Sequence, residues 1–259
     1  MKKIAVVTGA SSGMGQKFCI KLDTIGADEI WGIALESDGL DQTEQMLKTP
    51  MRKFPLDLSK DESLKVIEDA LKESDVEIVW LLCASGFCKI GRYDEIPLAQ
   101  TLGMIDVNCR ALVAVTQLCL PYMKEGARIT EIASSAGFQP LPYINVYSAT
   151  KAFVLNYSRA LNVELKNRKI SVTCVCPYWT NTPFIKKAEE QSKAINYIKL
   201  YNPDDVVEKA FKDTLKRKKI SICGCFARFY TGLSRCLPKN QVMRIWTRQQ
   251  KFNKKYKNK

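Results

Sequence analysis

The chain contains no histidine among its 259 residues. That absence excludes Ser-His-Asp and Cys-His catalysis, His-ligated zinc, and haem held by a proximal His. Proton transfer must then rely on Tyr, Lys, Asp, Glu or Cys. A signal-peptide start is also missing, since Met1-Lys2-Lys3 runs straight into a strand-like segment. The longest uncharged stretch, between Glu131 and Lys151, is interrupted by Ser134, Ser135, Gln139, Asn145, Ser148 and two prolines. No segment therefore reads as a transmembrane helix, and a soluble cytoplasmic protein is expected.

What the chain does contain is globular in character: 46% hydrophobic and 26% charged residues. A chain of this length buries roughly 70–75% of its unfolded surface, so it can fold without disulfides or metals. Its ten cysteines mostly sit inside apolar runs such as Trp80-Leu81-Leu82-Cys83 and Val172-Thr173-Cys174-Val175-Cys176. That usage fits reduced cysteine serving as a small hydrophobe. A metal site from Cys174, Cys176, Cys223 and Cys225 is disfavoured, because zinc ligands are usually spaced two to four apart in loops.

The net charge of +13 is uneven. Residues 212–259 hold fifteen Lys and Arg but one Asp, leaving a net of −1 in residues 1–211. The main body is thus electrically balanced, and the basic excess is confined to the end of the chain.

Apolar β-branched runs alternate with helical patterns. Strands are expected at Ile4–Val7, Glu29–Ala34, Lys53–Pro55, Ile78–Cys83, Arg128–Ala133, Ile170–Cys176 and Ser221–Gly224. Helical patterns fall near 14–25, 38–48, 61–73, 97–124, 146–167 and 203–218. This alternation predicts an α/β fold: a doubly wound, mostly parallel sheet of about seven strands with helices on both faces. It forms one domain over residues 1–224, followed by a basic helical extension at 225–259.

Three motifs carry chemistry. The first is Thr8-Gly9-Ala10-Ser11-Ser12-Gly13-Met14-Gly15, after a strand and opening a helix. Glycines permit a tight turn, and the N–H groups at a helix start attract a pyrophosphate. The second is Tyr147-Ser148-Ala149-Thr150-Lys151. On a helix, positions four apart are separated by only ~40° around the axis, so Tyr147 and Lys151 share a face. A nearby ammonium is expected to draw the phenol pKa down from ~10 toward neutrality, making Tyr147 an acid–base without histidine. The third is Ser134, at the end of a strand, where open α/β sheets bind ligands.

Thr8–Gly15, Asp106-Val107-Asn108, Ser134 and Tyr147-x-x-x-Lys151 resemble, in order and spacing, the short-chain dehydrogenase/reductase family, over roughly residues 1–224. The resemblance implies a Rossmann-type domain, a nicotinamide cofactor (NAD or NADP), and hydride transfer between a carbonyl and an alcohol. It implies that Tyr147 moves the proton, Lys151 holds the cofactor ribose, Ser134 binds the substrate oxygen, and Asn108 supports a water-linked relay to Lys151. The cofactor would lie against Gly9, Ser11, Ser12, Gly13, Met14 and Gly15. Further along it would meet Asp57 and Leu58, then Cys83, Ala84 and Ser85, and finally Pro177, Thr180 and Thr182. A homo-oligomer, dimer or tetramer, is also implied.

The chain departs from the family pattern at three places. The usual Asn-Asn-Ala-Gly is Cys83-Ala84-Ser85-Gly86, which loses the asparagine bonds while leaving the turn possible in principle. The usual Pro-Gly is Pro177-Tyr178, which resembles the branch of hydroxysteroid dehydrogenases and long-chain 3-oxoacyl reductases. Leu35 stands where an arginine would hold the NADP phosphate, and Glu36 follows, which leans toward NAD. Phe87, Tyr143, Tyr178 and Trp179 are expected to line an apolar substrate cleft. An intact Ser134, Tyr147 and Lys151 favours an enzyme over the alternative, a non-catalytic dinucleotide-binding protein whose tail engages a membrane or partner.

In the extension, Phe226, Phe229, Tyr230, Leu233, Leu237, Val242, Ile245 and Trp246 alternate with Arg228, Arg235, Lys239, Arg244 and Arg248. Three readings follow. The stripes pack over the substrate cleft or a partner subunit. They lie on an anionic membrane surface. Least favoured, they bind nucleic acid.

Overall fold

Continuous apolar strands require cover on both faces, and the fold supplies it. In the computed structural model, which describes residues 1–190 and 195–250, seven parallel strands form one sheet. In chain order these are β1 (Lys2–Thr8), β2 (Glu29–Ala34), β3 (Met51–Pro55), β4 (Val76–Cys83), β5 (Arg128–Ile132), β6 (Ser171–Val175) and β7 (Ile220–Ser221). Their order across the sheet is β3-β2-β1-β4-β5-β6-β7. The helices are α1 (Gly13–Leu22), α2 (Ser37–Glu44), α3 (Asp61–Lys72), α4 (Leu98–Ile105), α5 (Leu112–Cys119), α6 (Asn145–Glu164), α7 (Pro183–Ala188), α8 (Pro203–Leu215), α9 (Cys225–Cys236) and α10 (Lys239–Gln249). The expected Rossmann-type architecture is observed.

One face of the sheet is covered by α3, α5 and α6, whose Ile67, Leu71, Val115, Cys119 and Val154 meet Ile4, Ile78, Ile129 and Val172. The other is covered by α1, α2 and α8, whose Phe18, Leu22, Leu40 and Val207 meet Val7, Ile30 and Leu82. Trp80, at the centre of β4, is fully buried. Its indole N–H donates to Thr130 Oγ1 at 3.0 Å, and its ring stacks on Phe211 of α8 at 5.2 Å.

The helical pattern expected over 97–124 is one stretch, Leu98–Tyr122, with a π-helical turn at Asp106–Ala111 between α4 and α5. By length and composition it could cross a membrane, which the sequence reading had not anticipated. Its apolarity has a local explanation: Ala111, Leu112, Val115 and Cys119 are buried in the core. Helix α7, six residues long and opening on Pro183, was not expected, since so short a helix shows no period to read. All ten cysteines are free. Cys174 and Cys176 share a buried face of β6 with their sulfurs 3.7 Å apart, whereas Cys225 is exposed.

The chain direction across the sheet reverses between β1 and β4, which are neighbours. Open α/β sheets place their ligand crevice at the carboxyl ends of such a pair.

Candidate active site

A cavity of about 600 Å³ opens at that crevice. Its first end is made of backbone. Gly9 has φ +70°, and a Cβ there would lie 2.9 Å from the Ala84 carbonyl carbon. A Cβ on Gly15 would lie 2.1 Å from the Gly9 oxygen, so α1 can descend onto β1 only because that position is glycine. Ser12 gives α1 no side-chain cap. The first-turn N–H groups of α1 are left to an anion in the cavity, which Gly9, Ser11, Ser12, Gly13, Met14 and Gly15 all line. This cradle of glycines fits a dinucleotide pyrophosphate.

Where the family asparagine is missing, Thr8 holds the turn. Its Oγ1 accepts the Ala84 and Ser85 N–H groups, each at 3.1 Å. Ala84 and Ser85 line the cavity, as do Asp57, Leu58, Pro177, Thr180 and Thr182. Burial acts to raise the Asp57 pKa, but hydrogen bonds from Ser59, including its N–H at 2.9 Å, leave it below the usual value. Cys83 does not join them. It ends β4 facing the opposite side, with Sγ 3.7 Å from Thr116 Oγ1 in the core. Alternation along the strand sends its side chain away from the residue that follows.

Glu36 also lies off the cavity lining. It is exposed and pairs with Lys187 of α7 at 3.7 Å. Leu35 and Lys187 do line the cavity. Leu35 supplies no cation at this end, but α7 brings one, Lys187, from 151 positions beyond Glu36 in the chain.

At the centre stand Ser134, Tyr147 and Lys151, all on the lining. Ser134 caps a 3-10 turn (Ser135–Phe138), its Oγ accepting the Ala136 N–H at 3.1 Å, while its own O–H is turned to the Tyr147 oxygen. Gly137 lets α6 approach this turn, because a Cβ there would lie 2.6 Å from the Lys151 oxygen. Lys151 Nζ donates to the Ile132 carbonyl at the end of β5 at 2.7 Å and sits 5.7 Å from the Tyr147 ring centroid.

The electrostatics differ from the expectation. Burial pushes the Tyr147 pKa up, opposed by a hydrogen bond with Ser134. Burial also lowers Lys151 from 10.5 to about 8. Desolvation disfavours both charged forms, and for the phenol it outweighs the attraction of an ammonium.

Asn108 is fully buried in the π-helical turn and off the lining. Its Nδ2 donates to the Phe87 carbonyl at 3.0 Å and Thr150 Oγ1 at 3.1 Å, and its Oδ1 accepts the Phe87 N–H at 3.0 Å. The amide thus clamps the loop after β4 onto α6. Its side chain has both N–H groups engaged there and does not reach the cavity.

The second end of the cavity is aromatic. Phe87, Tyr178 and Trp179 line it as expected, whereas Tyr143 does not. Tyr143 has φ +69°, and its carbonyl accepts the Gly91 N–H at 2.9 Å, so it shapes the wall from outside. Phe184 of α7, 5.7 Å from the Tyr147 ring, was not expected here, whereas Tyr230 of α9 and Trp246 of α10 line the cavity as the first of the three alternatives for the extension has it. Tyr230 meets Tyr178 edge-on at 5.5 Å, and its hydroxyl accepts from Gln139 Nε2 at 3.1 Å. Trp246 is 4% exposed, and its indole N–H donates to the Pro142 carbonyl at 3.0 Å. The inner faces of α9 and α10 therefore pack over the cleft. The stripes alone left the cleft and a partner subunit as equal candidates, and packing selects the cleft. Lys251 through Lys259 lie outside the described residues.

The family model for short chain dehydrogenase matches residues 3–193. The chain is 26% identical to 17-beta-hydroxysteroid dehydrogenase type 3 of Rattus norvegicus, an alignment spanning 88% of this chain and 73% of that protein. It is 32% identical to very-long-chain 3-oxoacyl-CoA reductase of Mus musculus, over 70% of this chain and 61% of that protein. Among solved structures it resembles a short-chain dehydrogenase from Sphingobium yanoikuyae in complex with NADPH, with TM-score 0.77 and 24% identity over 92% of this chain and 97% of that one.

Proposed function

The chain belongs to the short chain dehydrogenase family, and on that premise we propose that it transfers a hydride between NAD or NADP and a ketone or secondary alcohol with a bulky apolar body. One observation carries this reading: Ser134, Tyr147 and Lys151 meet where a glycine cradle and an aromatic pocket join in one cavity. The nicotinamide cofactor, when bound, supplies or accepts the hydride. Ser134 turns its O–H from Tyr147 to the substrate oxygen, and Tyr147 gives that oxygen a proton or removes one. Lys151, anchored on Ile132, holds the ribose. Asn108 acts behind them as a positioning residue for the loop that carries Phe87.

The substrate class rests on the second end. Phe87, Trp179, Phe184 and Trp246 offer apolar surface and few polar groups, which suits a steroid or long-chain 3-oxoacyl compound. The two relatives named above carry those substrates in their names. We read residues 1–224 as the catalytic domain and 225–259 as an extension, of which the described part, 225–250, packs over the cleft. The free thiols fit a reducing cytoplasm. Self-association finds support on α4 and α6, where Leu98, Leu102, Ile105 and Phe153 are exposed.

For the cofactor we favour NAD, because the Glu36 carboxylate would repel a 2′-phosphate, although Lys187 beside it moderates the effect. Replacing Leu35 with Arg should move the NADPH-to-NADH ratio of kcat/KM toward NADPH by about tenfold, since Arg binds phosphate bidentately. The deciding experiment follows nicotinamide absorbance with both cofactors against a panel of ketones. Oxidation of either cofactor by an apolar ketone supports the reading. Cofactor binding without turnover on any ketone would favour a dinucleotide-binding protein instead.

A further inference from the structure

Helix α9 is apolar on its outward side as well as its inward one. Its inward side holds Ala227, Thr231 and Ser234, the last two with hydroxyls bonded to their own helix, beside the half-buried rings of Phe226 and Tyr230. Its outward face holds Cys225, Phe229, Gly232, Leu233 and Cys236, which helical geometry gathers into an arc of about 100°. Phe229 is 70% exposed and Leu233 is 43% exposed. A helix meant to face water would carry its polar residues outside.

The rim of that arc is cationic. Arg228 and Arg235 flank one side and are exposed, and α10 presents Arg244 and Arg248 to solvent. No Asp or Glu follows Asp213 in the chain, and Asp213, which shares a surface hollow with Arg228, is already paired with Lys209 and Lys218. We propose that the outer face of α9 seats the protein on an anionic lipid bilayer. Phe229 and Leu233 enter the acyl boundary, and Arg228 and Arg235 meet the headgroups. A second copy is a poor occupant, because a two-fold contact would set like-charged rims against each other. The inner face of the same helix contributes Tyr230 to the cavity. Docking therefore brings the cavity to the surface where apolar molecules concentrate, a consequence that rests on the oxidoreductase reading, whereas docking does not.

The test uses the full chain and sedimentation with vesicles of phosphatidylcholine, with or without phosphatidylglycerol. Wild type should bind the anionic vesicles, and binding should weaken as salt rises. F229S/L233S should bind at least about tenfold more weakly, the scale expected for losing two buried apolar side chains. R228Q/R235Q should bind more weakly and with a shallower salt dependence. Both variants should keep the wild-type cofactor affinity, since none of these side chains lines the cavity, and F229S/L233S should also keep the unfolding midpoint, whereas R228Q/R235Q loses the Arg228 bond to the Ile222 carbonyl and the Arg235 contact with the Phe138 ring. Absence of wild-type binding overturns the proposal, as does wild-type binding by F229S/L233S. A change of oligomeric state in F229S/L233S with vesicle binding unaltered would assign the face to a subunit contact instead. Failure of the oxidoreductase reading would appear separately, as absent turnover with vesicle binding intact.

Discussion

The two ends of the cavity are built by different means. The glycine end comes from one short segment, Thr8 to Gly15, and works through backbone atoms held at distances that admit no Cβ. The aromatic end is assembled from the β4–α4 loop, the segment after β6, α7, α9 and α10, and works through side chains. A backbone site tolerates no added atom but is indifferent to side-chain chemistry elsewhere. A side-chain site can be reshaped one residue at a time, which is how one fold accepts many substrates.

Ser134, Tyr147 and Lys151 stand where the two ends meet, so the largest effects are expected there. Tyr147→Phe should lower kcat at least ~10²-fold, the usual scale for acid–base catalysis, while the cofactor dissociation constant changes little. Stopped-flow turnover and cofactor fluorescence titration separate the two quantities. Near wild-type turnover would remove Tyr147 from the mechanism.

Lys151 carries a pH signature at the same junction. Its folded pKa of about 8 lies below the unfolded value of 10.5, so between these pH values the unfolded chain binds more protons at this site. Stability from Lys151 should therefore rise with pH across that window, by on the order of 3 kcal/mol at most. Thermal unfolding of Lys151→Met against wild type isolates the contribution from the other groups that titrate there. Parallel curves for the two proteins between pH 8 and 10.5 would contradict the burial argument.

The glycine end should respond sharply to a single methyl. Gly15→Ala forces a Cβ to within 2.1 Å of the Gly9 oxygen unless the turn shifts. Cofactor affinity should fall at least about tenfold, as the turn loses a position only glycine can fill. An unchanged dissociation constant would mean that the backbone does not set this end. The aromatic end should yield a gentler result. Trp246→Phe shortens a wall side chain and removes its bond to Pro142. Selectivity between a bulky and a small ketone should change by about three- to tenfold, with cofactor affinity unaltered. Equal kcat/KM changes for both ketones would mean that Trp246 does not read the substrate.

The linear order of residues was enough to place the strands and the glycine turn, and to put Tyr147 and Lys151 on one helix face. Each of these follows from a period or spacing within a single element, where backbone geometry alone sets direction. Between elements no such rule operates. Packing decided that Cys83 faces the core, that Asn108 clamps Phe87, and that Lys187 stands beside Glu36. It also brought Tyr230 and Trp246 of the basic extension over the cleft. The direction of the Tyr147 and Lys151 pKa shifts belongs to the same class, because desolvation depends on what surrounds a charge, and those surroundings come from segments far apart in the chain.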